Sequence, residues 1–214
     1  MFRQFGLNEL TMLLSGLQWT VGLTALAFVG SFAMGLPLLM ARVARLGALR
    51  VVATGWIQAV QGTPLLGLLF IAFFGLPLFG WDVPRWAAAM VALSIYGSAF
   101  LADIWRGAVQ AIPVGQWEAS AALGLPRWRQ LRLVVLPQAF TIAIPPTVGF
   151  LVQLIKNTSL ASVVGVVELS REAQLVNGAT FAPFLVYGCV CVLYFVLCYP
   201  LTACSRVLEA RLAR

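Results

Sequence analysis

Histidine does not occur in this chain of 214 residues. Its absence removes the side chain best suited to proton transfer near neutral pH and the commonest nitrogen ligand for metals. Charge is scarce as well. Asp and Glu together number 7, and all charged residues make up only 10% of the chain, against about 25% in soluble domains. A soluble fold needs polar surface, and this sequence has too little to cover one. No Gly-x-x-x-x-Gly-Lys-Ser/Thr segment is present, so the chain has no phosphate-cradling loop of that kind. Tandem repeats, low-complexity tracts and a second domain are also missing. With few acids and no histidine, neither a catalytic constellation nor a metal site can be assembled with ease.

What the chain has is oil. Hydrophobic residues make up 61% of it, and the mean hydropathy is +0.94. These values point to an integral membrane protein. A membrane lipid environment is therefore expected. The net charge of +7 raises nucleic acid as a partner. The arginines flank apolar runs, however, so orientation in a membrane explains them better. The four cysteines, Cys189, Cys191, Cys198 and Cys204, fall in one apolar run. They read as small packing side chains rather than metal ligands or disulfides. Arg3 comes early, but the first apolar run, Leu17 to Met40, is longer than the core of a signal peptide.

A spanning helix needs about twenty largely apolar residues. Five segments meet this: Leu17–Ala41, Val51–Phe79, Arg85–Trp105, Leu133–Ile155 and Phe181–Cys204. The fold class expected is therefore all-α and polytopic, one domain over residues 1–214. The second segment contains "QGTPLLG", which predicts either a broken helix or a proline kink. Pro145-Pro146 predicts a kink in the fourth.

Connections alternate in charge. Arg42, Arg45, Arg50, Arg106, Arg127, Arg129, Arg132, Arg206, Arg211 and Arg214 fall on one side, and Arg3, Arg85, Lys156 and Arg171 on the other. Positive residues mark the cytoplasm. The N-terminus is thus expected outside, the C-terminus inside, and Pro113 to Arg132 in the cytoplasm.

That cytoplasmic segment, "PVGQWEASAALGLPRWRQLRLVVLPQAF", interrupts the oil. Gln116 to Leu123 is helix-compatible, and Gly124 followed by Pro126 ends it. Two turns of helix are marginal alone in water, so this one needs a surface to dock on. Ala119, Ser120, Ala121 and Ala122 leave little bulk, and Trp117 and Ala121 share a face. Glu118 suits the first turn. Docking on lipid alone calls for larger apolar residues. Asp103 sits near the end of the third segment, at pairing distance in sequence from Arg106.

Glu118-Ala119-Ser120, Gly124 six residues on, and Leu136-Pro137 twelve after the glycine, with aliphatic Val134 between, resemble the "EAA" loop of ABC importer permeases. "QGTPLLGLLFIAFFGLP", "IWRGAVQAIPVGQWEAS", "LPQAFTIAIPP" and "LIKNTSLASVVGVVELSREAQ" are similar to the polar amino acid branch of that family. Ser120 replaces the second alanine. Gln61 stands where the branch often has arginine, and Asn157 where it often has aspartate.

The resemblance implies a transport subunit without enzymatic activity of its own, in a bacterial inner membrane. Residues 113–126 then form a coupling helix, with Trp117, Glu118, Ala119, Ser120, Ala121 and Gly124 seated in an ABC ATPase subunit. It further implies a dimer of ATPases carrying ATP and Mg, a second permease chain, identical or homologous, and a periplasmic amino-acid-binding protein. This chain itself is expected to hold no cofactor and no metal. Gln61, Thr63, Lys156, Asn157 and Glu168 are the substrate-pathway candidates. Glu168 suits an amino group or a cationic side chain, and Lys156 suits a carboxylate. A local ion pair that only holds the loop explains them equally. A secondary transporter or channel subunit is the competing function. It calls for intramembrane acids, which the apolar runs almost lack.

Overall fold

Six glycine, serine and alanine positions decide how the two central helices of this protein meet. The computed structural model describes residues 4–44 and 46–212, and every regular element among them is helical. Arg3, Arg45 and Arg214, three of the basic residues counted above, lie outside the described residues. The elements are α1 (Leu7–Val43), α2 (Gly47–Gly62), α3 (Leu65–Leu78), α4 (Arg85–Gln110), α5 (Val114–Ala122), α6 (Arg127–Val164), α7 (Leu169–Thr180) and α8 (Pro183–Leu212).

The helix α1 buries Ala27, Ser31 and Gly35, and α4 buries Ser94, Gly97 and Ser98. These small residues let the two backbones approach, as membrane helices require where apolar burial gives no drive. Ser31 Oγ donates to its own helix at Ala27 O, 2.7 Å, and reaches Leu93 O of α4 at 3.5 Å. Phe32 meets Trp105 edge-on at 4.8 Å, and Trp105 Nε1 donates to Thr147 Oγ1 of α6 at 3.1 Å. Phe100 of α4 stacks on Phe150 of α6. The core therefore sits between α1, α4 and α6.

Among the described residues, four helices are long and apolar enough to cross a membrane, or five if the bent pair α2–α3 counts as one span. Each span differs in detail from its expected bounds. The first begins at Leu7, not Leu17, because Glu9 caps it by accepting the Gly6 N–H at 2.9 Å. Leu13 then packs against Leu169, Val176 and Val186 of α7 and α8. The second expected segment is two helices bent by 100°. Pro64 has no N–H to continue α2 and holds Thr63 extended, at φ −99° and ψ 130°. The fourth is longer at both ends. A π-helical turn, Leu131–Val135, leads into it, and a 3₁₀ turn, Thr158–Val164, leads out. Its helix runs unbroken through Pro145 and Pro146. Ser205 Oγ of α8 donates to the Pro145 carbonyl at 2.9 Å and ties the two helices there.

Candidate functional site

The helix α5 is nine residues long and stands between two prolines, Pro113 at its N-cap and Pro126 beyond its end. Its C-terminus closes as a full Schellman motif. Leu125 N–H bonds to Ser120 O and Gly124 N–H to Ala121 O, with Gly124 at φ +71°. That left-handed conformation is one that glycine adopts without a steric cost. So Gly124 acts as the stop that the sequence predicts, and its role is conformational: an added Cβ there meets open space.

The helix presents two unlike faces. Trp117 and Ser120 turn inward. Ser120 is buried and donates to Trp117 O at 2.9 Å, and the Arg127 guanidinium lies over the Trp117 ring at 5.5 Å. Gln138 of α6 donates to Gln116 at 3.3 Å. These contacts set the height and angle of α5 against α6. Glu118, Ala119, Ala121, Ala122, Leu123 and Gly124 face outward and are exposed. The outward face is thus mostly methyl groups and backbone, with one acid and with Leu123 80% exposed at its edge.

The five pathway candidates are spread over two regions. Gln61 and Thr63 stand at the α2–α3 elbow. Gln61 Nε2 donates to Asp103 Oδ2 at 3.3 Å and to Ala99 O at 3.4 Å. Thr63 Oγ1 donates back to Ala59 O, and the residue lines a cavity of about 320 Å3 with Trp56, Ile71 and Ile95. Lys156 and Asn157 end the α-helical part of α6. Lys156 is exposed. Asn157 Oδ1 accepts from Gln153 at 3.1 Å, while its Nδ2 is buried without a partner. A larger cavity, about 460 Å3, opens between α1, α4 and α6. Phe28, Phe32, Leu136 and Phe140 line it, and none of the candidates does.

Glu168 is the most thoroughly engaged of the five. It is 0% exposed and caps α7, accepting Arg171 N–H at 2.8 Å through Oε1. Its Oε2 accepts from Thr20 Oγ1 at 3.4 Å and from Tyr194 OH at 3.2 Å. Burial pushes its carboxyl above the usual carboxylate range, against the backbone N–H groups of Ser170 and Arg171 that favour the charged form. Its carboxylate is spent within the chain, tying α1, α7 and α8 together. Sequence reasoning had no route to Thr20 or Tyr194, because neither lies near Glu168 in the chain.

Asp103 has a wider set of partners than its sequence neighbour suggests. Arg106 Nε bonds its Oδ1 at 3.2 Å, and Arg42 of α1 stands 3.6 Å from the same oxygen. Among the described residues, no group of three or more acids or cysteines is arranged to hold a metal.

Residues 33–214 match the family model described as "Binding-protein-dependent transport system inner membrane component". The chain belongs to this family. It is a permease, the membrane-spanning component of an importer, and its place is the inner membrane. The match takes in every coupling and pathway candidate. The L-cystine transport system permease protein TcyB of Bacillus subtilis is 36% identical over 204 residues, 95% of this chain and 87% of that one. The probable glutamine ABC transporter permease protein GlnM of Bacillus subtilis is 33% identical, over 97% of this chain and 96% of its own length. The glutamine transport system permease protein GlnP of Escherichia coli is 34% identical, over 94% and 93%.

Among solved structures, the crystal structure of an amino acid ABC transporter with histidines superposes with a TM-score of 0.90. The identity there is 31%, and 94% of each chain is covered. The MetNI methionine ABC transporter matches with a TM-score of 0.80 at 24% identity, over 96% of this permease and 99% of that chain. That second likeness is one of fold.

Proposed function

We propose that this permease carries a polar amino acid into the cytoplasm, after a periplasmic binding protein delivers it, on energy from separate ATPase subunits. The observation that carries the reading is α5. It is a short helix with an exposed face of small side chains, locked at its C-terminus by Gly124. Such a face admits a partner's side chains closely and cannot bury enough surface to be stable alone. An ATPase groove is the occupant we assign to it. Glu118, Ala119, Ala121, Ala122 and Leu123 touch the partner, and Trp117 and Ser120 set the angle.

ATP and Mg belong to the partner, since this chain has no phosphate-binding loop. Two ATPases closing on two permease chains, identical or homologous, give the two-fold arrangement that alternating access needs. The end of the bundle that carries α5, Arg42, Arg106, Arg127 and Arg132 faces the cytoplasm. A polar amino acid as cargo rests on the relatives named above, whose own names state cystine and glutamine. Gln61, Thr63, Lys156 and Asn157 remain the pathway residues, and Glu168 serves as architecture.

The test is reconstitution of the permease in liposomes with its ATPase and binding protein. Uptake of labelled amino acid that needs ATP inside and binding protein outside supports the reading. Uptake driven by an ion gradient without the ATPase overturns it.

A further inference from the structure

The coupling helix must move something in the membrane, and the side chains just above it form a continuous polar chain. Gln110 is the last residue of α4, immediately before the turn into α5. Arg106 Nη1 donates to Gln110 Oε1 at 2.8 Å, and Arg106 Nε donates to Asp103 Oδ1 at 3.2 Å. Asp103 then reaches two other helices. Its Oδ1 faces Arg42 at the end of α1, 3.6 Å away, and its Oδ2 accepts from Gln61 at the end of α2, 3.3 Å away. Gln61 is followed by Gly62 and then by the extended Thr63-Pro64 break where α2 turns by 100° into α3.

We infer that Asp103 is a positioning residue for transport, linking the foot of α4 to α1 through Arg42 and to the α2–α3 elbow through Gln61. The inference rests on α5 being the place where the ATPase acts. A carboxylate inside a spanning helix is costly and is retained for a reason. Adhesion of α2 to α4 is not that reason, because Ile57, Val60, Ala99 and Ala102 already pack the two together. The contacts are graded. The bond to Arg106 lies within α4 and has hydrogen-bond geometry, whereas the Arg42 contact is an ion pair at longer range. When α5 is displaced, Asp103 travels with α4. It draws the elbow through Gln61, while the Arg42 contact keeps the end of α1 in step with α4.

The experiment compares substrate imported per ATP hydrolysed, in liposomes holding the permease, its ATPase and its binding protein. Asp103→Asn keeps the shape and removes the charge. Copurification of the ATPase and ATP hydrolysis should be kept, while import per ATP falls severalfold, because the charge that holds Arg42 and Arg106 is gone. Asp103→Glu should recover most of that ratio. Arg42→Gln added to Asp103→Asn should cost little more than Asp103→Asn alone, because both act on one contact. Gln61→Leu leaves both ion pairs in place and should lower the ratio at an unchanged apparent KM for the loaded binding protein, which separates lost coupling from a damaged substrate path and keeps the test decisive if Asp103→Asn assembles poorly. An unchanged import-per-ATP ratio in Asp103→Asn, or in Gln61→Leu where the first variant does not assemble, overturns the inference. So do additive losses from Arg42 and Asp103. Wild-type complex that imports nothing with ATP instead overturns the functional reading on which the inference rests.

Discussion

Thr20 and Glu168 lie 148 positions apart in sequence, yet the Thr20 hydroxyl donates to Glu168 Oε2 at 3.4 Å and accepts from Leu169 N–H at 3.1 Å. One hydroxyl thus satisfies both the cap of α7 and the first amide behind it. The contact fastens the N-terminal half of α1 to the start of α7, where both groups are buried.

Thr20→Val should therefore destabilise the permease by about 1–3 kcal/mol, since it strands the buried Leu169 amide and leaves Glu168 Oε2 with Tyr194 as its remaining donor. Glu168→Gln, which keeps an acceptor for Arg171 N–H, should cost less. Both should lower the midpoint of thermal unfolding in detergent. Uptake per folded molecule should change little in either, and a large loss of uptake at unchanged stability would return Glu168 to the substrate path.

Gly124 gives a second expectation. At φ +71°, any Cβ costs about 1–2 kcal/mol even in open space, and asparagine tolerates the conformation best after glycine. ATPase binding should fall in the order Gly, Asn, Ala, Val at position 124. Copurification from membranes with equal permease levels measures this. An Ala variant that binds like wild type would show that the Schellman closure does not set the docking geometry.

Bulk on the outward face of α5 should act differently. Ala119→Trp and Ala122→Trp put large rings where methyl groups stand exposed, at a cost of about 1–3 kcal/mol in a close-packed contact. The permease should insert and unfold as wild type does, and ATPase affinity should drop about tenfold or more, as that cost implies. Equal losses of insertion and affinity would mean that this face packs against the permease itself.

The α1–α4 seam can be tested by exchange of one methylene. A Cβ at Gly97 collides with the Ser31 side chain, and Phe150 crowds the same spot at 3.4 Å. Gly97→Ala should lower thermal stability by about 1–3 kcal/mol through overpacking. Adding Ser31→Gly should restore most of it, less the roughly 1 kcal/mol that glycine costs inside a helix. Failure of the second change to help would place the strain elsewhere.

Much of the fold was legible because oil and charge dictate it. The long apolar runs and the Gly124 stop needed nothing beyond local rules, whereas the spacing from Glu118 to Leu136-Pro137 carried meaning only through its resemblance to the family's loop. The 100° elbow was half legible: Pro64 announced a break, but its angle depends on what α3 packs against. Helix α1 starts ten residues before its apolar run because Glu9 caps it and Leu13 finds partners on α7 and α8. The Asp103 partners were hidden for a similar reason. Arg106 is a helix neighbour, whereas Arg42 and Gln61 arrive from other helices, and no periodicity in the chain points to them. Glu168 shows the opposite case, an acid that sequence alone leaves open to substrate and that folding turns inward.

The tight seam of α1 and α4 has a mechanical meaning. Two helices whose backbones touch through glycine and serine have no layer of side chains to shear, so they behave as one stiff beam. The α4 part of that beam has 26 residues, about 39 Å at 1.5 Å per residue. A tilt of about 5° at its foot, where α5 is attached, then swings the far end by about 3 Å over that length. A nudge too small to disturb packing at the α5 end of the bundle thereby becomes, at the opposite end, a displacement comparable to the width of a water molecule.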